Sequence, residues 1–265
     1  MQRSLFKKQV VANVDSLPAK IPALPVNDED LVKYSPMSWN EYYETKEIVH
    51  VNEDKHFAVF RSTAEEKKQD SVHHLFVLVH GAGHTALSWG VASKLLKQRG
   101  NDILSYDLRG HGCSKVDSPL DDCNFNVNVL AMDLVNILST LYSNDIPNII
   151  LVGHSMGGSI VSTVASGPHG ECNEEDKDNW NRVIKSIKAL VVVDVVEGTA
   201  LEALPKMTQI LKNRPISFPS IESVIQWTIQ SNLVKNLSSA KVSVPPQVEL
   251  NEELNEYIWR TDLLA

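Results

Sequence analysis

The stretch NIILVGHSMGGSIVSTVAS, residues 148–166, decides the fold. Its first part is a continuous apolar run, and such runs are typical of strands buried on both faces of a sheet. Its last part is rich in small residues and favours a helix. Between them, residues 153–157 read Gly-His-Ser-Met-Gly and fit the pattern G-x-S-x-G. The sequence therefore predicts a strand, a tight turn and a helix, with Ser155 in the turn.

Ser155 is the candidate nucleophile. A serine in such a turn exposes its hydroxyl at a helix N-terminus, where backbone N–H groups favour developing negative charge. Gly153, Gly157 and Gly158 supply the room that the turn requires. The alternative is a phosphate-binding turn, but neither GxxxxGK[ST] nor GxGxxG is present. The context therefore favours a nucleophile.

The alternation of strands and helices continues on both sides of this stretch. Strands are predicted at HLFVLVH (74–80), NDILSYD (101–107) and IKALVVVD (187–194), and two short strands flank a polar turn within 47–61. Helices are predicted near 89–98 and 126–143. This order predicts an α/β fold with a mostly parallel sheet covered by helices on both faces.

Two loops that follow predicted strands carry histidine and glycine. His80-Gly81-Ala82-Gly83 stands where an oxyanion-hole loop is expected, and the N–H groups of Ala82 and Met156 are the candidate pair of donors. We interpret His80 as a structural residue that hydrogen-bonds its own loop. Residues 107–112, DLRGHG, are interpreted as loop architecture, so His111 is not expected to be catalytic.

The composition limits the classes of partner. The 265 residues are 43% hydrophobic and 22% charged, with a formal net charge of −8. An acidic chain lacks the field that attracts nucleic acid or anionic lipid, and no run approaches the ~18 apolar residues of a membrane span. Cys113, Cys123 and Cys172 form no CxxC pair, which favours reduced thiols in the cytoplasm or nucleus. We expect no cofactor, no metal and a monomer.

Residues 1–35 are predicted to be a partly disordered leader, because Pro18, Pro22 and Pro25 break helix and strand. The leader lacks the apolar core of a signal peptide. A mitochondrial presequence remains an alternative, since Asp15 is the first acidic residue.

Four segments together resemble the protein phosphatase methylesterases, which are serine esterases of the α/β-hydrolase fold. They are SPMSWNEYYE (35–44), VHGAGHTALSW (79–89), LVGHSMGGSIV (151–161) and VVVDVVEGTALEAL (191–204). Residues 214–248 resemble the lid that follows in this family. The resemblance implies a hydrolase domain at 36–265, with a helical lid region at about 200–248.

The resemblance also implies an activity, a partner and a triad. Members of this family remove the methyl ester from the C-terminal leucine of the protein phosphatase 2A catalytic subunit. By position, Ser155 matches the family nucleophile and Asp194 the acid, and the end of a parallel strand is also where sites of open sheets lie. A buried aspartate that caps a loop is the alternative for Asp194. Asp133, Glu197 and Glu202 are weaker candidates, and no substrate-binding residue is predicted.

A triad of this kind needs a histidine after the acid. None of the nine histidines follows Asp194: they are His50, His56, His73, His74, His80, His84, His111, His154 and His169. The resemblance places this histidine far downstream, so we expect the last strands, the histidine loop and the final helix to be absent. An unpaired sheet edge would then be exposed. Residues 248–256, VELNEELNE, resemble a remnant of the family's acidic insertion.

These expectations leave three functions open. The chain is a fragment or truncated form of an active methylesterase, or a short form that binds the phosphatase without turnover. The third function is a small-molecule carboxylesterase of the same fold. The missing histidine is the feature that favours the non-catalytic form.

Overall fold

The computed structural model describes residues 28–64, 73–118, 122–168, 173–194, 211 and 214–263. Within them, a seven-stranded sheet has the spatial order β1-β2-β4-β3-β6-β7, with β5 paired to β2. The strands are β1 Thr45–Asn52, β2 Lys55–Ser62, β3 Leu75–Val79, β4 Asp102–Tyr106, β5 Lys115–Val116, β6 Ile149–His154 and β7 Ile187–Val193.

The strands that carry the candidate site are parallel. β3 pairs with β4 and β6, and β6 pairs with β7, whereas β1 and β2 form an antiparallel hairpin. Val79 lies opposite Gly153, and His154 lies opposite Val193. The carboxyl ends of β3, β6 and β7 therefore meet at one edge of the sheet.

Helices cover both faces of the sheet. Three helices, α3 Val127–Leu141, α4 Met156–Ser166 and α5 Glu174–Ser186, pack on one face over a core that includes Leu130, Leu151 and Val161. The other face is covered by α2 Gly90–Gln98 and the 3₁₀ turn Ala86–Trp89. The α/β class predicted from the sequence is thereby confirmed. None of the helices in the described ranges has the length and apolarity to span a bilayer.

The region after residue 214 packs around its own apolar cluster. Its elements are β8 Ser217–Phe218, α6 Ile221–Gln230, α7 Leu237–Ser243, the 3₁₀ turn Pro245–Gln247, β9 Val248–Asn251 and β10 Glu256–Trp259. The expected helices of the lid are present. A three-stranded antiparallel sheet of order β8-β10-β9 accompanies them and was not predicted.

Residues 248–256, which resemble a remnant of the family's acidic insertion, form most of the hairpin of β9 and β10. Asn251 Oδ1 closes its turn by accepting from the N–H groups of Glu253 at 3.0 Å and Leu254 at 3.1 Å. Trp259 anchors β10, with its ring centroid 5.6 Å from that of Phe218.

The last residues of the predicted leader are ordered. Helix α1, Asp28–Lys33, precedes Tyr34, which is 4% exposed in the apolar cluster of the lid. The Met37 N–H donates to the Lys241 carbonyl at 2.9 Å. Residues 28–35 therefore pack with the lid, and residues 1–27 lie outside the described part of the chain.

Strand β7 forms an edge of the sheet as the structure describes it. Its residues 190–193 are apolar, and each is between 40% and 43% exposed. In the described residues β7 pairs with β6 alone. An apolar strand at an open edge is unusual, because such strands are normally covered on both faces.

Candidate active site

Ser155 occupies the turn between β6 and α4. Its backbone has φ 52° and ψ −122°, which residues other than glycine rarely adopt. The Ser155 N–H donates to the Val193 carbonyl at 2.9 Å, and its carbonyl accepts from the Gly158 N–H at 2.7 Å. A Cβ at Gly157 would overlap the Val79 carbonyl, so a glycine is required where the helix meets β3. The predicted strand, turn and helix are present.

The loop after β3, residues 80–86, is called the β3 loop and lies against Ser155. A Cβ placed on Gly81 would be 3.1 Å from Ser155 Cβ and 3.1 Å from His154 Nδ1. In the part of the chain that the structure describes, the N–H groups of Ala82 and Met156 donate no hydrogen bond to protein. Open backbone donors beside a serine are what an oxyanion hole requires.

Asp194 follows β7 directly and lies at the same sheet edge as Ser155. Its side chain is 84% exposed, and its Oδ2 is 3.9 Å from His154 Nε2. This exposure excludes the alternative of a buried aspartate that caps a loop. Asp133 is excluded as the acid, because its carboxylate binds the buried Arg109 guanidinium through two contacts of 2.6 Å. Glu197 and Glu202, the other candidates, lie outside the described residues.

Two buried histidines use both ring nitrogens to hold the loops. His80 Nδ1–H donates to the Gly81 carbonyl at 2.8 Å, and His80 Nε2 accepts from the Leu108 N–H at 3.0 Å. His111 Nδ1–H donates to the Arg109 carbonyl at 2.8 Å, and its Nε2 accepts from the Gly83 N–H at 2.9 Å. Both residues have the architectural role expected from the sequence.

The match to a family model agrees with this geometry. Residues 76–261 match the model described as "Alpha/beta hydrolase family". The chain belongs to the alpha/beta hydrolase family. The fold class expected from the sequence is the fold of this family, and the matched range includes the β3 loop, Ser155, Asp194 and the described lid.

Curated relatives of this chain include proteins named protein phosphatase methylesterase 1. The chain is 36% identical to protein phosphatase methylesterase 1 of Homo sapiens over 220 residues. This alignment covers 82% of the chain and 51% of the relative. The chain is 32% identical to the protein of that name from Yarrowia lipolytica over 251 residues. This alignment covers 88% of the chain and 55% of the relative. The resemblance to protein phosphatase methylesterases is therefore confirmed. The chain spans about half the length of these relatives.

Solved structures of more distant proteins share the fold. The thioesterase domain from the curacin biosynthetic pathway gives a TM-score of 0.56 at 18% identity, covering 82% of this chain and 72% of that domain. E-2-(acetamidomethylene)succinate hydrolase gives 0.58 at 18%, covering 82% and 69%. At this identity, the likeness shows the fold alone.

A cavity of about 230 Å³ lies beside the serine turn. His84 and His154 line it together with Trp89, Val193 and Val234. Val234 is in the lid, so three separate parts of the sequence meet here. Sequence reasoning did not place His154 near Asp194 or find this cavity, and only the resemblance of residues 214–248 to a lid pointed to a covered pocket.

Burial governs the titration of the groups around the site. It lowers the pKa of His80 well below the usual histidine range and lowers the pKa of His84 to about 4. The nearby imidazoles of His111 and His154 act in the same direction on His84. Burial also raises the pKa of Asp107 to about 6, against the effect of two N–H donors. The imidazoles of His80 and His84 are therefore neutral near pH 7.

Proposed function

We propose that this hydrolase is a protein methylesterase that uses Ser155 to cleave the methyl ester on the C-terminal leucine of the protein phosphatase 2A catalytic subunit. The left-handed backbone of Ser155, next to the open N–H groups of Ala82 and Met156, is the observation that carries the chemistry. The choice of substrate is supported by the name of the relatives and by the four segments that resemble them.

The reaction follows from the roles of these atoms. Ser155 Oγ attacks the ester carbonyl carbon while a general base takes its proton, and the carbonyl oxygen becomes an oxyanion at the N–H groups of Ala82 and Met156. Collapse expels the methoxide, which leaves as methanol after it receives that proton. Water then hydrolyses the acyl-serine bond and frees the carboxylate. Asp194 is the proposed acid that orients and stabilises the base.

Turnover by the 265-residue chain depends on whether one of its residues can act as the general base. Alpha/beta hydrolases place it after the acid, and the 265 residues contain no histidine after Asp194. His80 and His111 already use both ring nitrogens. We therefore expect the 265-residue chain to release methanol at a rate lower by ~10⁶ than that of a complete esterase.

The test supplies a methylated C-terminal phosphatase peptide and measures methanol, with human protein phosphatase methylesterase 1 as the positive control. Release near the rate of the control would show that an unexpected base completes the site, and His84 and His154, which line the adjacent cavity, would be tested first. In any form with turnover, Ser155→Ala should abolish release and labelling by a fluorophosphonate, whereas Ser159→Ala, an exposed change on the same helix, should retain both. Turnover above a few per cent in Ser155→Ala would remove Ser155 from the role.

A second candidate is a form that binds the phosphatase without turnover. The side chain of Asp194 favours it, because it is 84% exposed and its Oδ2 lies 3.9 Å from His154 Nε2, beyond hydrogen-bond distance. Capture of the phosphatase by a chain that neither releases methanol nor reacts with a fluorophosphonate would establish this form. Rapid hydrolysis of p-nitrophenyl esters that the phosphatase does not inhibit would instead support a small-molecule esterase.

A further inference from the structure

Two loops at the carboxyl ends of β3 and β4 interlock through buried side chains. The second, residues 107–114, is called the β4 loop. His111 Nε2 accepts from the Gly83 N–H at 2.9 Å, and Asp107 Oδ1 accepts from the Ala86 N–H at 2.8 Å. In the opposite direction, the Leu108 N–H donates to His80 Nε2 at 3.0 Å. The conformation of the β3 loop is therefore set largely by the β4 loop.

These bonds hold the two peptide planes on either side of Ala82. His80 Nδ1–H binds the Gly81 carbonyl, which belongs to the same peptide unit as the Ala82 N–H. A trans peptide directs its C=O and N–H in opposite directions, so this bond fixes the direction of the Ala82 N–H. His111 binds the N–H of the next unit, at Gly83. Gly83 has a φ of +73° and no Cβ to restrict its backbone, so this hydrogen bond helps to hold its peptide plane.

The hydrogen bonds of His111 require one tautomer. Its Nδ1 faces a carbonyl and must carry the proton, so its Nε2 is left as an acceptor for the Gly83 N–H. The ring is 1% exposed and lies against His80, with the ring centroids 5.1 Å apart, and against Phe125, at 5.4 Å. The ring is therefore enclosed by its neighbours.

We propose that His111 is a positioning residue for the oxyanion hole: its neutral imidazole holds the Gly83 N–H and so keeps the Ala82 N–H directed at the ester carbonyl oxygen. The proposal rests on the proposed function for its chemistry, while the positioning itself is a property of the fold. His111 does not touch the substrate, and it acts through the backbone of the β3 loop.

The variant pair His111→Gln and His111→Leu tests the proposal in the full chain. Glutamine can present an oxygen near the place of Nε2, whereas leucine fills the space without an acceptor. In ¹⁵N-labelled protein at pH 7, we expect His111 to show a protonated Nδ1 and an unprotonated Nε2. The Gly83 amide should be protected from hydrogen exchange in the wild type and in His111→Gln, and should lose that protection at least tenfold in His111→Leu.

The rate of Ser155 labelling by a fluorophosphonate gives the second readout. We expect His111→Leu to be slowed about tenfold, less than the 10²–10³ that follows complete loss of an oxyanion donor, and His111→Gln to restore most of the rate. Trp180→Phe is the matched control, because it removes a buried 2.8 Å hydrogen bond to Val164 at a distance from the loops and should change neither readout.

The two hypotheses fail in different ways. Unchanged Gly83 protection in His111→Leu, or an equal loss in His111→Gln, would overturn the positioning role whatever the activity. A protected Gly83 with the expected tautomer, in a protein whose Ser155 reacts with neither ester nor fluorophosphonate, would overturn the proposed function and leave the role of His111 in the loop established.

Discussion

Gly157 has no room for a side chain in the turn of Ser155. A Cβ there would overlap the carbonyl oxygens of Val79 and His80, which are backbone atoms and cannot rotate away. We expect Gly157→Ala to lower the free energy of unfolding by about 2 kcal/mol, as overpacking does. Alanine is the better helix former by about 1 kcal/mol, so a net loss reports the clash itself. Urea unfolding measures it, and Ser159→Ala is the control. A more stable Gly157→Ala protein would show that the turn can relax.

Asp194 makes a separate prediction at the same scale. Because its side chain is 84% exposed, Asp194→Asn should leave the melting temperature unchanged. If Asp194 is the acid of the triad, kcat in a form with turnover should fall by ~10⁴, since asparagine holds the histidine in the wrong tautomer. Asp178→Asn, an exposed change on α5, is the control. A loss of less than tenfold would transfer the role to another acid, and Glu197 would be tested first.

Strand β7 carries a prediction at the scale of an element. Four consecutive apolar residues of β7, at the edge of the sheet that the structure describes, are between 40% and 43% exposed, and exposed apolar edges promote aggregation. Val191→Lys should lower the binding of 8-anilinonaphthalene-1-sulfonate and the light scattering of the 265-residue chain, because a charge at an edge opposes pairing between molecules. Val32→Lys, at a position on α1 that is 76% exposed, should change neither. Equal changes in dye binding and light scattering for the two variants would mean that β7 is not the surface through which the molecules aggregate.

Strands and turns could be predicted from the sequence where neighbouring residues determine their conformation. The turn at Ser155 depends on glycines within a few residues. β3, β4 and β6 are short segments rich in apolar residues, and the sequence predicts each within one residue of its observed ends. The hairpin of β9 and β10 could not be predicted from local sequence, because glutamates and asparagines interrupt its apolar pattern and its anchor is the contact of Trp259 with Phe218, 41 residues earlier in the chain. The closeness of His154 to Asp194 also depends on tertiary pairing, here of β6 with β7.

The whole molecule should lose stability on mild acidification because of its buried imidazoles. The pKa of His84 is about 4 in the folded protein and near 6.5 when unfolded. Unfolding therefore takes up a proton between these values, and the stability present above pH 6.5 is lost as the pH falls toward 4. Burial lowers the pKa values of His80 and His111 too, with the same sign. Asp107 has the opposite sign, because its raised pKa of about 6 favours the folded state on acidification.

The comparison of wild type with His84→Gln isolates one of these groups. We expect the free energy of unfolding, measured in urea at pH 8, 6 and 5, to fall less steeply with pH in the variant. At pH 8, His84 is neutral in the folded and the unfolded protein. The difference in the free energy of unfolding between wild type and variant at this pH therefore measures the substitution itself, without any contribution from protonation. Parallel curves for the two proteins would show that His84 does not titrate as its burial implies.

The contacts of α1 with the lid set an order of events during synthesis. Gln226 Nε2 donates to Asp30 Oδ2 at 3.3 Å across a separation of 196 residues, and Tyr34 is buried in the same cluster. At ~5–20 residues per second, a ribosome needs on the order of 10–40 s to supply these partners. Throughout that time the lid residues that bury the ring of Tyr34 have not yet been synthesised. The nascent chain therefore offers residues 28–37 to chaperones until translation has passed the lid, long after the strands of the sheet have emerged.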